Sequence, residues 1–290
     1  MKYNKEEKRI SLTLKQPPTE YCIICNEWAF EIVKDYKGDK DALFTLYSCM
    51  NCLVKFCRPR ISPDYNYVSD ALYTEYKDFS KKIKGLEGDQ LVQALNEHSL
   101  TFAIPLEYLK GRKGLKILEV GCSYGYFTYS LRQLGHESYG IDVCSEPIEF
   151  ARQEFGDYFL RQNIEDVEEK FDVVVSLEVI EHVENPTEFI NSCLKVIKPG
   201  GVVIYTTPNR DFYIRALWMQ ITKFAYTLDH FPIESRLREI GELFQEHIWF
   251  TDKPPIHMML FHQKTFQEIA KSKNLLVAFV DKHKEKGEIP

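Results

Sequence analysis

Several features that would fix a protein's class at once are missing from this chain. It has no apolar run long enough to cross a bilayer. Its opening residues, MKYNKEEKRI, carry charges where a secretory leader would carry an apolar stretch. Basic residues are not in surplus: 37 Lys and Arg stand against 43 Asp and Glu, a net charge of −6. Broad electrostatic attraction to nucleic acid is therefore not expected, and a nucleic-acid partner is disfavoured. A soluble, cytoplasmic protein without membrane insertion is expected. Internal repeats are absent, and the one biased patch is the basic pair Lys81-Lys82.

Cysteine, by contrast, is plentiful. Eight cysteines without a leader point to a reducing compartment and metal ligation, not to a disulfide frame. Four of them form two Cys-x-x-Cys pairs, Cys22 with Cys25 and Cys49 with Cys52, separated by 23 residues. Each pair offers two thiolates on a tight turn, and four thiolates complete a tetrahedral Zn²⁺ shell. A module this small gains little from burial, so metal binding would add folding energy. Structural Zn²⁺ on Cys22, Cys25, Cys49 and Cys52 is expected; reduced, buried thiols are the alternative. Cys57 stands at the wrong spacing for a third knuckle. Cys122, Cys144 and Cys193 read as core or site-lining residues.

The chain divides into a polar tail (1–16), a zinc-ribbon-like module (17–64), a helical connector (65–112) and a main domain (113–290). In the connector, Leu91, Ala94, Leu95, His98, Phe102 and Leu109 have helical spacing. Strands and helices then alternate, which predicts an α/β, Rossmann-like, doubly wound and mostly parallel sheet. The predicted strands are Lys116–Val120, Glu137–Asp142, Tyr158–Gln162, Phe171–Leu177, Gly201–Thr207 and Leu275–Asp281. Pro186 suits the first turn of a helix. Phe189, Ile190, Cys193, Leu194 and Ile197 share one face of that helix, and Pro199-Gly200-Gly201 ends it.

The densest chemical signal is ILEVGCSYGYF, Ile117 to Phe127. A strand runs into a tight turn with Gly121 and Gly125, and a helix follows directly. Glycines let the backbone approach a ligand, and the helix start presents free N–H groups to it. Asp142 closes the next strand, where an acid accepts from ribose hydroxyls. The third glycine of a dinucleotide fingerprint is missing. Glu119 would repel a pyrophosphate yet help hold a cationic amino-acid group.

This turn resembles motif I of the class I S-adenosylmethionine-dependent methyltransferases, with Ser123 where that family usually has Gly. Phe171 to Pro186, FDVVVSLEVIEHVENP, is similar to the family's fourth-strand motif. Leu194 to Asn209, LKVIKPGGVVIYTTPN, is similar to the helix-turn-strand after it. The resemblance spans about Lys116 to Pro208. It implies S-adenosylmethionine as cofactor, with Glu119, Gly121, Ser123 and Gly125 around its methionine part. Asp142 would hold the ribose, Asn163 and Ile164 would flank the adenine, and Leu177 and Glu178 would face the donor.

Glu178-Val179-Ile180-Glu181-His182 places two carboxylates and an imidazole beside that site. One reading makes His182, with Glu181, the general base, because an unperturbed imidazole titrates near neutrality. Another is a second divalent cation on Glu178, Glu181 and His182. The stretch matches, letter for letter, a motif of small-RNA 3′-end 2′-O-methyltransferases, and is similar to one in ubiquinone-pathway O-methyltransferases. The resemblance implies cation binding by the equivalents of these residues, with His257 or His262 as a further ligand. A third reading has the Glu-His pair cap the next helix and pack under the cofactor.

An aromatic-rich insertion at about 209–262, with Phe212, Tyr213, Trp218 and Trp249 among its members, follows the fifth predicted strand. It reads as a lid over an acceptor pocket, or as a helical pair packed on the core or on a second subunit in a homodimer. The expected function is methyl transfer to a small-molecule acceptor. A zinc ribbon ahead of such a domain resembles bacterial methyltransferases acting on sugars, so a nucleotide-linked sugar or surface-glycan precursor is the candidate acceptor. Metal-dependent 2′-O-methylation of RNA 3′ ends and a non-catalytic zinc-ribbon scaffold are the rivals.

Overall fold

A computed structural model describes residues 20–38, 42–60, 70–208 and 257–279. The polar tail and most of the aromatic insertion, with its lid reading, lie outside the described residues.

The N-terminal part is an antiparallel sheet of β1 (Glu20–Tyr21), β2 (Trp28–Lys37), β3 (Leu43–Cys49) and β4 (Lys55–Arg58). Alternation along β3 sends Phe44 and Leu46 inward, and Tyr47 stacks on its register partner Phe56 at 5.4 Å. A fifth strand joins from far along the chain: β10 (Met259–Leu260) pairs antiparallel with β4, placing Met259 opposite Phe56. Sequence reading did not anticipate this strand, because two residues carry no readable period.

Three helices follow: α1 (Asp70–Ile83), α2 (Gly88–His98) and α3 (Ala103–Leu109). Leu91, Ala94 and Leu95 are buried on α2, as their spacing predicted. From α1, Tyr76 packs on Tyr124 (4.6 Å between ring centres) and Tyr126 (5.8 Å), so this helix covers the outer side of the glycine turn.

The main sheet is parallel in every pairing. Its strands are β5 (Lys116–Val120), β6 (Glu137–Asp142), β7 (Phe159–Arg161), β8 (Phe171–Leu177) and β9 (Ile197–Thr206), in the order β7-β6-β5-β8-β9. Helices α4 (Tyr126–Gln133), α5 (Ser145–Phe155) and α6 (Pro186–Lys195) connect them, and α7 (Gln263–Ser272) follows β10. This is the predicted Rossmann-like α/β architecture. The unbroken Val173-Val174-Val175 run is buried at its centre, between helix layers. Chain order reverses at β5, which has β6 on one side and β8 on the other. The carboxyl ends of β5 and β8 therefore form the switch-point crevice where such sheets bind ligands.

Two strand predictions change. Pro199-Gly200-Gly201 does not separate helix from strand but lies within β9. Its ladder to β8 jumps from Phe171–Ile197 to Val173–Val202, so the extra residues bulge out, with Gly200 at φ +79°. Leu275–Phe279 is not a strand: it is exposed and has no ladder partner among the described residues. A strand needs a neighbour to satisfy its backbone, and apolar composition alone does not supply one. No helix among the described residues is long and apolar enough to cross a membrane.

Candidate active site and metal centres

At the mouth of the crevice, β5 turns through Gly121 and Gly125, both at positive φ, into α4. Protein already fills the space a Cβ would take. At Gly121 it would meet Val179 Cγ2 at 2.4 Å, and at Gly125 it would meet Phe159 at 2.6 Å. These glycines are therefore required by the packing of the turn on its neighbours, beyond any approach of a ligand. Ser123 also lies in the left-handed region, at φ +47°, and so does Glu178, at φ +54°. Strained backbone thus stands on both lips of the crevice, at the ends of β5 and β8.

Asp142 ties the turn together. Its Oδ2 accepts the Ser123 amide at 2.9 Å and its Oδ1 accepts the Cys144 amide at 2.9 Å. Each oxygen retains a second acceptor direction, and the residue is only half-buried, which fits two ribose hydroxyls. Glu119 is placed differently. It is 4 % exposed, and its Oε2 accepts from both the amide (2.9 Å) and the hydroxyl of Thr128 in α4. Burial pushes it up to about 8 in spite of those two bonds. Its carboxylate fixes the first turn of α4. Asn163 caps the short turn Ile164–Asp166 after β7, with Asn163 exposed and Ile164 buried. Leu177 and Glu178 are half-buried at the end of β8, where the Glu178 amide donates to Thr206 O at 3.0 Å.

Behind that lip lies a titratable cluster. Ligand-capable atoms of Glu181, His182 and His257 all lie within 4.8 Å of one another. The two imidazole rings are 4.6 Å apart, and Glu181 Oε1 is 4.0 Å from His182 Nε2. Thr207 donates to Glu181 Oε2 at 2.9 Å, whereas buried Oε1 accepts no hydrogen bond among the described residues. Burial, and then the Glu178 carboxylate beside it, push Glu181 up to about 8. Burial, and then His182, hold His257 down to about 3, which keeps it a neutral imidazole, the form that binds metals. No Lys or Arg pairs with Glu181 among the described residues. Such a site has a divalent cation's donors: one buried carboxyl group and two imidazoles. His262 is elsewhere: it caps α7, its Nδ1 accepting from the Lys264 amide at 2.9 Å. Of the two histidines considered as a further ligand, the structure brings in His257.

The four expected thiols also converge. Cys22 and Cys52 sulfurs are 3.6 Å apart, Cys25 and Cys49 sulfurs 3.5 Å apart, and all four lie within 4.8 Å. A disulfide would need about 2.05 Å. A tetrahedral shell with Zn–S bonds of about 2.3 Å puts its sulfurs about 3.8 Å apart. The knuckles are built alike. Asn26 and Leu53, each directly after its pair, take φ of +57° and +64°. Backbone amides of Ile24 and Cys52 point at Cys22 and Cys49 sulfurs at 3.5 and 3.4 Å, the way N–H groups support thiolate charge. Cys57 is buried in β4 outside this group.

Sequence reading missed the partners that hold these groups. Thr128 directly follows the glycine-turn stretch and Thr207 lies within Leu194–Asn209, but nothing in either stretch marks their hydroxyls as partners of Glu119 and Glu181. The approach of His257 depends on β10, which no local pattern announces.

A family model described as a methyltransferase domain matches residues 92–276. The chain is 32% identical over 154 residues to a ubiquinone biosynthesis O-methyltransferase of Aliivibrio fischeri (strain MJ11), covering 50% of this chain and 65% of that protein. A protein of the same description from Vibrio atlanticus (strain LGP32) is 35% identical over 156 residues, with the same coverage. This chain thus spans about two-thirds or less of the length of these curated relatives. A solved magnesium protoporphyrin IX methyltransferase from Synechocystis PCC 6803 is 21% identical, with 62% of this chain and 89% of that one covered and a TM-score of 0.38, too loose a likeness to carry chemistry across.

Proposed function

The chain belongs to the methyltransferase-domain family, and on that footing we propose that it transfers a methyl group from S-adenosylmethionine to a hydroxyl oxygen of a small-molecule acceptor. The observation that carries this reading is the coupling of the glycine turn to Asp142 at the switch point of a parallel sheet. The names of the curated relatives favour O-methylation of a compound of the quinone-precursor type over the nucleotide-linked sugar suggested by the sequence.

When bound, S-adenosylmethionine supplies a methyl group already activated on a sulfonium. The chain's task is then alignment and removal of the acceptor proton. Gly121, Ser123 and Gly125 form the floor for the methionine part, with Glu119 bracing them through Thr128. Asp142 would accept from the ribose, Asn163 and Ile164 would border the base, and Leu177 and Glu178 would border the donor end. Glu181, His182 and His257, with Glu178 beside them, would hold a divalent cation, which would lower the acceptor hydroxyl's affinity for its proton. The convergence of Glu181, His182 and His257 favours this over a lone His182 base. Cys22, Cys25, Cys49 and Cys52 would hold Zn²⁺ as a closed structural site with no open position for substrate.

Calorimetry with S-adenosylhomocysteine, followed by a methyl-transfer screen, tests the reading. The screen sets hydroxylated ring compounds beside nucleotide sugars and short RNAs. Binding plus transfer to a ring hydroxyl is the expected result. No binding heat and no thermal shift would replace the enzyme with a scaffold, and transfer to RNA ends would reinstate the nucleic-acid rival.

A further inference from the structure

The two cysteine knuckles reach past their own module and hold the opposite walls of the Glu181–His182–His257 cluster. On one side, Thr187 Oγ1 donates to the carbonyl of Ile23, which lies between Cys22 and Cys25, at 3.2 Å. Thr187 is the second residue of α6, the helix that begins just after the Glu181–His182 loop. On the other side, Thr265 Oγ1 donates to the carbonyl of Cys52 at 2.9 Å. Thr265 is buried in the first turn of α7, just after β10 and His257.

A backbone path closes the circuit. Phe56 and Lys55 of β4, just beyond the second knuckle, pair with Met259 and Leu260 of β10. The Cys57 amide donates to Met258 O at 3.2 Å, and the Met258 amide donates to Glu181 O at 2.9 Å. Met258, Met259, Leu260 and Phe261 are all buried, so the segment that leads from His257 through β10 is clamped along its length. One knuckle therefore fixes the wall bearing Glu181 and His182, and the other fixes the wall bearing His257. The knuckles meet at their four sulfurs, next to the pairing of Ala29 with Cys49 that joins β2 to β3.

We propose that the four-cysteine centre is the positioning frame of the active-site cluster: a Zn²⁺ ion there sets where His257 stands relative to Glu181 and His182. Thr187 and Thr265 are its positioning residues. The proposal rests on the reading of that cluster as a cation site. It gives the module a part in the reaction although the thiolates are closed to substrate. Residues outside the ligand set that orient ligands are worth roughly ten- to a hundredfold in metal affinity.

The test uses the full chain with Co²⁺ in the four-cysteine site and Mn²⁺ as the probe of the second. Thr265→Val and Thr187→Val cut the tethers while leaving the thiolates in place. Cys25→Ser unloads the knuckles while leaving both threonines. In each valine variant the cobalt–thiolate absorption and S-adenosylhomocysteine affinity should be unchanged, Mn²⁺ affinity should fall about tenfold, and Thr265→Ser should restore it. Hydrogen exchange at the Met258 amide should quicken in the same variants. Wild-type Mn²⁺ affinity and Met258 protection in Thr265→Val and Thr187→Val would overturn the proposal. So would a matched loss of Mn²⁺ and S-adenosylhomocysteine binding, which is general loosening. If Cys25→Ser does not fold, the threonine variants decide alone. If the wild type takes up no Mn²⁺, the second-cation reading fails, and Met258 exchange then decides the coupling: faster in the variants sustains it, unchanged overturns it.

Discussion

Asp142 Oδ2 accepts the amide of Ser123 at 2.9 Å, so the end of β6 holds the one turn residue that departs from glycine in its family's usual pattern. Ser123 needs that hold because it stands at φ +47°. A side chain in the left-handed region costs about 1–2 kcal/mol, partly offset by the roughly 0.5–1 kcal/mol of chain entropy a glycine would lose. Ser123→Gly should therefore raise the melting temperature by about 2 °C and leave S-adenosylhomocysteine affinity intact. Asp142→Ala should do the opposite on both counts, leaving two amides without their acceptor and lowering affinity at least tenfold. Calorimetry on the two variants checks both. Equal binding by Asp142→Ala and wild type would remove Asp142 from the cofactor site.

Glu119 makes folding stability fall with rising pH. Its folded-state value is raised from the usual 4.5 to about 8. Between those values the folded chain keeps a proton that the unfolded chain releases. The stabilising contribution is full below about pH 4.5 and is lost as pH rises through about 8. Glu119→Gln keeps an oxygen for Thr128 and removes the titration. The variant should gain a few kcal/mol over wild type at pH 8, at ~1.4 kcal/mol for each pH unit that separates the folded and unfolded values, and match it near pH 5. Urea denaturation at the two pH values measures this. Parallel curves would mean that Glu119 ionises in the folded protein as it does in water.

The parallel sheet was legible because Val173 to Val175 and the segments around it are long, apolar and bounded by turn residues. The strand, glycine turn and acid at the sheet's carboxyl end were legible for the same reason: they are local in sequence. The four thiols were legible because metal geometry dictates short ligand spacing. Leu275–Phe279 shows the limit. It has a strand's composition but no neighbour among the described residues to ladder with. Met259 and Phe56 show the converse, a real strand pair of which one member is two residues long. Pairing of distant segments is a property of the packed chain, and His257 reaches the site only through it.

The knuckles should carry one Zn²⁺ per chain, measured by metal analysis of protein purified without chelator. Cys49→Ser removes a buried thiolate supported by the Cys52 amide and should lose the metal and much of the N-terminal sheet's protection from exchange. Cys57→Ser should keep the metal, because Cys57 lies in β4 outside the group of four. Loss of zinc in Cys57→Ser as well would show that the shell is not the one the spacing and sulfur distances define.

His257 and His262 offer a controlled comparison on the two ends of β10. His257 is buried beside His182 with ring centres 4.6 Å apart, and burial holds it neutral. His262 caps α7 through the Lys264 amide and is not one of the ligand-capable group. His257→Ala should weaken Mn²⁺ binding at least tenfold with little change in S-adenosylhomocysteine affinity, since His257 belongs to the Glu181–His182 group and not to the glycine turn that Asp142 holds. His262→Ala should leave Mn²⁺ binding at the wild-type level and cost about 1 kcal/mol of stability, the usual worth of a helix cap. Paired Mn²⁺ titrations and melting curves separate the two effects. If the two alanine variants bind Mn²⁺ equally well, His257 is no ligand, and the His182 imidazole beside Glu181 is left as the base. Methyl transfer should then persist in His257→Ala and vanish in His182→Ala, with its pH profile following the imidazole.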